Sequence, residues 1–204
     1  MLPVQATLLD MARQPRNIEP GGIYHVTSRG NDGRVIFTND ADRRGFLKRL
    51  DIVVERYHWI VFGYCLMDNH VHLLVQVPES GLSDGMRDLL GGYARWWNQK
   101  HGHSGHLFRA RFWDKNQRDD WQLLTTACYI DLNPVRAKLA DRPEGWIWSS
   151  YRAHAGIAHP LRLLANSEFM KRFGPTPDLS RKAYVEFVDA RRRTVSDTDL
   201  TAVG

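Results

Sequence analysis

The stretch Trp59–Val77, WIVFGYCLMDNHVHLLVQV, decides how the rest of the chain reads. It is apolar almost throughout, and the Asp68-Asn69 pair interrupts it. It therefore divides into a near-continuous apolar strand over Trp59–Met67, a tight link, and a second strand over Val71–Val77 that Pro78 closes. Successive side chains on a strand point to opposite faces. Val71, Leu73, Val75 and Val77 share a core face, and His70, His72, Leu74 and Gln76 share the other. Two imidazoles about 7 Å apart on one face can converge on one divalent ion. They can equally be two unpaired histidines at a surface.

Outward from this hairpin the chain alternates strands and helices. Upstream, IYHVTSRG (Ile23–Gly30) alternates as a first strand and ends in the turn signal GNDG. Asn39 reads as a helix N-cap, with Asp42 at the capping-box position. Phe46, Leu47, Leu50, Val53, Val54 and Tyr57 follow at helical spacing. Downstream, Ser83 is expected to cap a second helix whose Met86, Leu90, Tyr93 and Trp97 form one face, and KHGHSGH ends it. RARFWDKNQ (Arg109–Gln117) reads as a short, basic fourth strand. Asp120 is expected to cap a third helix, WQLLTTACYIDLN, which should stop or kink at Pro134, because the residue before proline is pushed out of helical geometry.

The order β-α-β-β-α-β followed by a helix places the chain in the α+β class. It is the ferredoxin-like arrangement, an antiparallel sheet with two helices on one face and the other face free. Residues 1–20 read as a lead-in, 21–157 as the main domain and 158–204 as a helical, basic extension in which Arg191–Arg193 form a solvated end.

The 204 residues are 43% hydrophobic and carry a formal charge of +5, which describes a globular chain suited to a polyanionic partner. Cys65 and Cys128 are too few and too far apart for a disulfide framework or a zinc motif, so a reducing, cytoplasmic compartment is expected. No run reaches the roughly 18 apolar residues of a membrane span; the longest candidate, Trp59–Met67, stops at Asp68. The N-terminus lacks the basic-then-apolar order of a signal peptide.

A second cluster lies on the third helix. Gln122, Thr125, Thr126, Tyr129 and Asn133 recur at spacings of three and four and share a polar face, opposite Leu123, Leu124, Ala127 and Ile130. Tyr129 could be an ordinary amphipathic tyrosine covering a groove. Taken with the histidines, it suggests one site. His70, His72 and the side-chain carbonyl of Asn133 would hold Mg²⁺ or Mn²⁺ engaged on a phosphate, with Tyr129 beside it as nucleophile. A phenol, with a pKa of about 10, needs the cation or a nearby base to react at neutral pH.

These motifs resemble a known family. NHVHLL (Asn69–Leu74) is similar to the His-hydrophobe-His (HUH) motif of single-tyrosine DNA transposases. YIDLNPVRA, YHVTSRG, GHLFRARF and WIWSSYRAH resemble, more narrowly, the REP-associated tyrosine transposases of bacteria. The likeness runs from about Met11 to Gly156, so residues 1–10 read as an extension or a start placed upstream. It implies a ferredoxin-like domain that cuts and rejoins single-stranded DNA at palindromic REP hairpins with a short tetranucleotide at the foot. Tyr129 would form a 5′-phosphotyrosine link and release a 3′-OH. His70, His72 and Asn133 carry over as metal ligands. Related insertion-sequence enzymes use glutamine four residues after the tyrosine, and asparagine fits the REP-associated branch. Members of that branch are generally monomers.

The DNA-facing surface is expected along HLFRARFWDKNQR (His106–Arg118), where Arg109, Arg111, Lys115 and Arg118 are interleaved with Phe108, Phe112 and Trp113. Cations track phosphates while rings stack on unpaired bases. Arg29, Arg34 and Arg95 would extend this surface. His101, His103 and His106 lie in a glycine-rich loop and read as a turn. The rival reading is a hairpin DNA- or RNA-binding module that keeps the fold without chemistry.

Overall fold

The alternating and apolar runs become four strands, β1 (Ile23–Arg29), β2 (Ile60–Leu66), β3 (His70–Gln76) and β4 (Trp113–Gln117), in a computed structural model that describes residues 18–79 and 81–198. They pair antiparallel in the order β2-β3-β1-β4, as the ferredoxin-like reading requires. The expected lead-in lies mostly outside the described residues. Among the described residues, no helix is long and apolar enough to cross a membrane.

Helices α1 (Asp40–Tyr57) and α2 (Leu82–His101) cover one face. There Phe46, Leu50 and Val53 of α1 and Met86, Leu90, Tyr93 and Trp97 of α2 bury against Tyr24, Val26, Val71, Leu73 and Val75. Asn39 caps α1, its side chain accepting from the Asp42 amide. Asp42 does not complete the reciprocal half of a capping box. Its carboxylate accepts instead from the amide and hydroxyl of Thr38 and from Lys100 and His101 at the far end of α2. Burial pushes this carboxyl up, but those hydrogen bonds outweigh it and hold the pKa at about 2. A helix start on α1 is thereby tied to a helix end on α2. Two glycines let the layers approach. A Cβ on Gly45 would lie 2.5 Å from the Trp96 ring, and one on Gly85 would lie 2.3 Å from the Trp59 ring.

The other face is only half free. Helix α3 (Asp120–Arg136) lies across β2 and β3, and α4 (Tyr151–His154), α5 (Asn166–Met170) and α6 (Pro177–Thr198) pack around it. Phe62, Cys65 and Leu74 from the sheet bury here with Leu123, Ala127 and Ile130 of α3, Phe169 of α5 and Tyr184 and Val188 of α6. The physical reason is the near-continuous apolar character of β2. A strand apolar on both faces needs cover on both.

Local boundaries also differ from the sequence reading. Gly81 rather than Ser83 is the α2 N-cap, and Ser83 lies inside the helix. Asp119 rather than Asp120 caps α3, accepting from the Gln122 amide at 2.7 Å. Helix α3 runs through Pro134 to Arg136, because burial of Leu132, Asn133 and Pro134 outweighs the one backbone bond that proline removes. Arg191 is no solvated end. Its guanidinium carbon lies 3.6 Å from the Phe187 ring centroid and 5.0 Å from that of Trp121, which fastens α6 to the start of α3.

The Gly85 contact sets the first prediction. Gly85→Ala is expected to destabilise the protein by about 1–3 kcal/mol, because overpacking against buried Trp59 outweighs alanine's higher helix propensity. Thermal melting followed by far-UV circular dichroism checks this, with a lowered midpoint expected.

Candidate active site

Strand register assembles the site. Residues directly opposite on neighbouring strands share a face. Thr27 lies opposite His72 on one side and Trp113 on the other, His25 opposite Leu74 and Lys115, and Arg29 opposite His70. One face of β1, β3 and β4 therefore presents His70, His72, His25, Thr27, Arg29, Trp113 and Lys115. Helix α3 closes the side over β2 and β3, where Leu123, Ala127 and Ile130 turn down into the core. Helical spacing then aims Thr126 and Tyr129 at the uncovered strands. The Thr126 hydroxyl donates to Gln117 Oε1 at 2.7 Å, which pins α3 to β4.

The result is a cleft of about 450 Å³ lined by His25, Thr27, His72, Trp113, Lys115, Thr126 and Tyr129. The Tyr129 ring stands edge-on to His72 at 5.8 Å and to His25 at 5.9 Å between centroids. The His70 and His72 rings meet edge-on at 4.9 Å. Asn133 is buried, and its Nδ2 donates to the Tyr129 carbonyl at 2.9 Å, so its amide oxygen is the atom left for a ligand. The side chain of Arg136 lies over Tyr129, with Cζ 4.9 Å from the ring centroid.

The imidazoles are neutral. Burial, reinforced by the charge on Lys115, pushes the pKa of His25 down to about 4. Burial and then Arg29 push His70 down to about 4, against a weaker opposing pull from Asp68. Burial, with His25 and His70 adjacent, drives His72 well below its usual value. Neutral imidazole is the ligating form. His70 Nδ1 lies 2.7 Å from Asn69 Oδ1, which leaves its Nε2 available. His72 Nε2 is buried without a hydrogen-bond partner. By donor type these two nitrogens and the Asn133 amide oxygen suit a divalent ion, although His70 and Asn133 are not among the residues that line the cleft. Among the described residues, no group of three or more His, Cys, Asp or Glu is arranged to hold a metal.

The remaining basic residues divide between two places. Trp113, 54% exposed, and Lys115 line the cleft beside Tyr129. Arg95, Arg109, Arg111 and Phe112 line a separate groove of about 840 Å³ between α2 and the 105–112 loop. Phe112 is only 6% exposed and packs in the core, so it does not present a free ring for a base, contrary to the expectation from its charged neighbours. Arg34 contacts His103, and the exposed Arg118 sits where its backbone amide donates to Gln122 Oε1. His101 pairs with Asp42, so the loop histidines do not converge. His25, Thr27 and Arg136 escaped the sequence reading. His25 shares the polar parity of Thr27 and Arg29 on β1, which was a usable signal. Arg136 follows Tyr129 by two helical turns, a weaker one.

Tyr129 is held from behind. Asp131, fully buried, accepts from the Ser150 hydroxyl at 3.0 Å and from the Tyr184 hydroxyl, with His154 Nδ1 at 3.4 Å. Ser150 Oγ in turn accepts from the Tyr64 amide at 3.1 Å. Helix α3 is thus joined to β2, to α4 and to α6 two residues beyond Tyr129.

The family described as "Transposase IS200 like" has a sequence model that matches residues 21–130, rather more than half of the chain. A curated Haemophilus influenzae protein named as a candidate REP-associated tyrosine transposase is 28% identical over 184 residues, covering 84% of this chain and 98% of that protein. Among solved structures, a REP-associated tyrosine transposase bound to a REP hairpin superposes with a TM-score of 0.61 at 17% identity, covering 72% of this chain and 86% of that one. That likeness is one of fold.

The buried carboxylate behind Tyr129 yields a measurable expectation. Tyr184→Phe removes a donor from Asp131 and is expected to lower stability by about 1–3 kcal/mol, read as a reduced denaturant midpoint with an unchanged m-value.

Proposed function

The chain belongs to the IS200-like transposase family, and from that premise we propose that it cuts and rejoins single-stranded DNA at REP-type hairpins, with Tyr129 as nucleophile and Mg²⁺ or Mn²⁺ as cofactor. The observation that carries the reading is the Tyr129 ring standing edge-on to His72, itself edge-on to His70, across a cleft open to solvent. His70, His72 and Asn133 would hold the divalent ion. When bound, that ion supplies Lewis-acid polarisation of the scissile phosphate and stabilises charge in the transition state.

Tyr129, 37% exposed, reaches the cleft without rearrangement of its helix. Its oxygen attacks phosphorus, forming a Tyr–O–P bond as the P–O3′ bond breaks. The phenolic proton leaves to solvent or to the departing 3′ oxygen, and the products are a 5′-phosphotyrosine and a free 3′-OH. One phosphoester replaces another, so attack by a 3′-OH reverses the step with no external energy source. The guanidinium of Arg136 lies over the Tyr129 ring, beside the place where the attacked phosphate would sit. Trp113 offers its exposed indole to an unpaired base beside Lys115. Arg29, Arg34, Arg95, Arg109, Arg111 and Arg118 would follow the phosphates. Because Tyr129 faces the histidines of its own chain, one copy holds the complete proposed set, which favours a monomer.

The test uses a REP-like hairpin with single-stranded flanks, labelled at its 3′ end, incubated with Mg²⁺ or Mn²⁺ and run on a denaturing protein gel. Label is expected to travel with the protein and to vanish with EDTA. In Tyr129→Phe the adduct should fall by at least about 10³-fold while hairpin binding persists. An adduct that survives the substitution would remove Tyr129 as nucleophile, and binding without any adduct would point to a silent binding module. Trp113→Ala is expected to weaken single-strand affinity by about 1–3 kcal/mol, measured by fluorescence anisotropy.

A further inference from the structure

The second histidine of the motif has a partner that its sequence neighbours do not supply. His25 Nε2 and His72 Nδ1 lie 2.9 Å apart, and the two rings stack at 5.1 Å with an interplanar angle of 23°. The Thr27 hydroxyl sits between them, 3.2 Å from His72 Nδ1 and 3.4 Å from His25 Nε2. Both rings are buried. A neutral imidazole carries one N–H and one lone pair, so a nitrogen–nitrogen contact at this distance holds a single proton, and only two arrangements exist.

In the first, His25 donates from Nε2 to His72 Nδ1. His72 is then protonated at Nε2, which leaves an N–H buried without any acceptor and occupies the nitrogen that would face a metal. In the second, His72 donates from Nδ1 to His25 Nε2. His72 Nε2 then carries its lone pair into the site, and the Nδ1 of His25, a residue that lines the cleft, is not among the buried atoms left without a partner. An orphaned buried donor is the rarer and costlier defect, so the second arrangement prevails. It also matches His70, whose Nδ1–H donates to Asn69 Oδ1 and leaves Nε2 open.

We propose that His25 is a positioning residue that accepts the Nδ1 proton of His72 and holds that ring in the tautomer whose Nε2 lone pair faces the cation site. Its consequence for metal binding rests on the function proposed above, whereas the tautomer does not. The acceptor that usually orients a ligating histidine is a carboxylate, a backbone carbonyl or water. Here a second imidazole takes that place, and because the same ring touches Tyr129 edge-on, one side chain orients both the ligand and the nucleophile.

Two measurements on the full chain test this. In metal-free, ¹⁵N-histidine-labelled protein, long-range ¹H–¹⁵N correlation spectra identify the protonated nitrogen of each ring, with the His72 signals assigned by their loss in His72→Ala. Wild-type His72 is expected to be protonated at Nδ1, and protonation at Nε2 overturns the proposal whatever the metal does. The second measurement titrates Mn²⁺ and follows the free-ion signal by electron paramagnetic resonance. His25→Phe keeps the ring and removes the acceptor, and should weaken Mn²⁺ binding by about 10–100-fold in a protein whose circular dichroism is unchanged. Undiminished affinity in a folded His25→Phe protein overturns the positioning role. Equal Mn²⁺ affinity in wild type and His72→Ala would instead defeat the metal reading, and the spectrum of the metal-free protein would still decide the tautomer.

Discussion

The antiparallel pairing of β1 with β3, which sets Thr27 opposite His72, is the constraint on which the candidate site depends. A slip of one residue would turn His25 and Thr27 into the helix-covered core and bring Tyr24 and Val26 out beside the histidines. The register is held by burial. Tyr24 and Val26 fill the core face under α1 and α2 with Val71, Leu73 and Val75. The apolar residues that never meet a ligand therefore determine which polar residues do.

The second constraint is the division of labour on the opposite face. Helix α3 buries Leu123, Ala127 and Ile130 against β2 and β3, and this packing fixes its rotation. Rotation in turn decides that Tyr129 and Thr126 reach over the β1–β4 side, where the sheet stays uncovered. The Asp131 network with Ser150 and Tyr184 then ties the same helix to β2 and α6. Precision at Tyr129 comes from a rigid support two residues away, so the C-terminal helices contribute to the site without lining it.

Much of this was legible in the chain. The β2–β3 hairpin, the first strand, the Asn39 cap and the buried stripe of α2 follow from period-two and period-3.6 patterning, which are local properties. The start of α2 at Gly81 and the passage of α3 through Pro134 depart from local signals, because Ser83 is a good cap by type and Pro134 a good stop, yet tertiary burial outweighs the small free energies that such signals carry. The start of α3 at Asp119 is a different case: two adjacent aspartates are equal caps by type, and the first is the one whose side chain accepts from the Gln122 amide. Phe112 and Arg191 erred in opposite directions, one sought at the surface and found in the core, the other set in solvent and found stacked on Phe187 and Trp121. Composition around a residue says little about its exposure when the loop beside it folds inward.

By itself the sequence determined the class of fold, the pairing of His70 with His72 on one strand face, and the placing of Tyr129 and Asn133 on one helical face, because each of these depends on chain periodicity within a single element. The tertiary structure alone decided that the opposite sheet face is half covered, that Tyr129 stands against His72 rather than over solvent, and that His25 is the partner of His72 across 47 residues. Those outcomes depend on register and on helix rotation, which are settled by apolar packing between elements far apart in the chain. No local pattern carries that information.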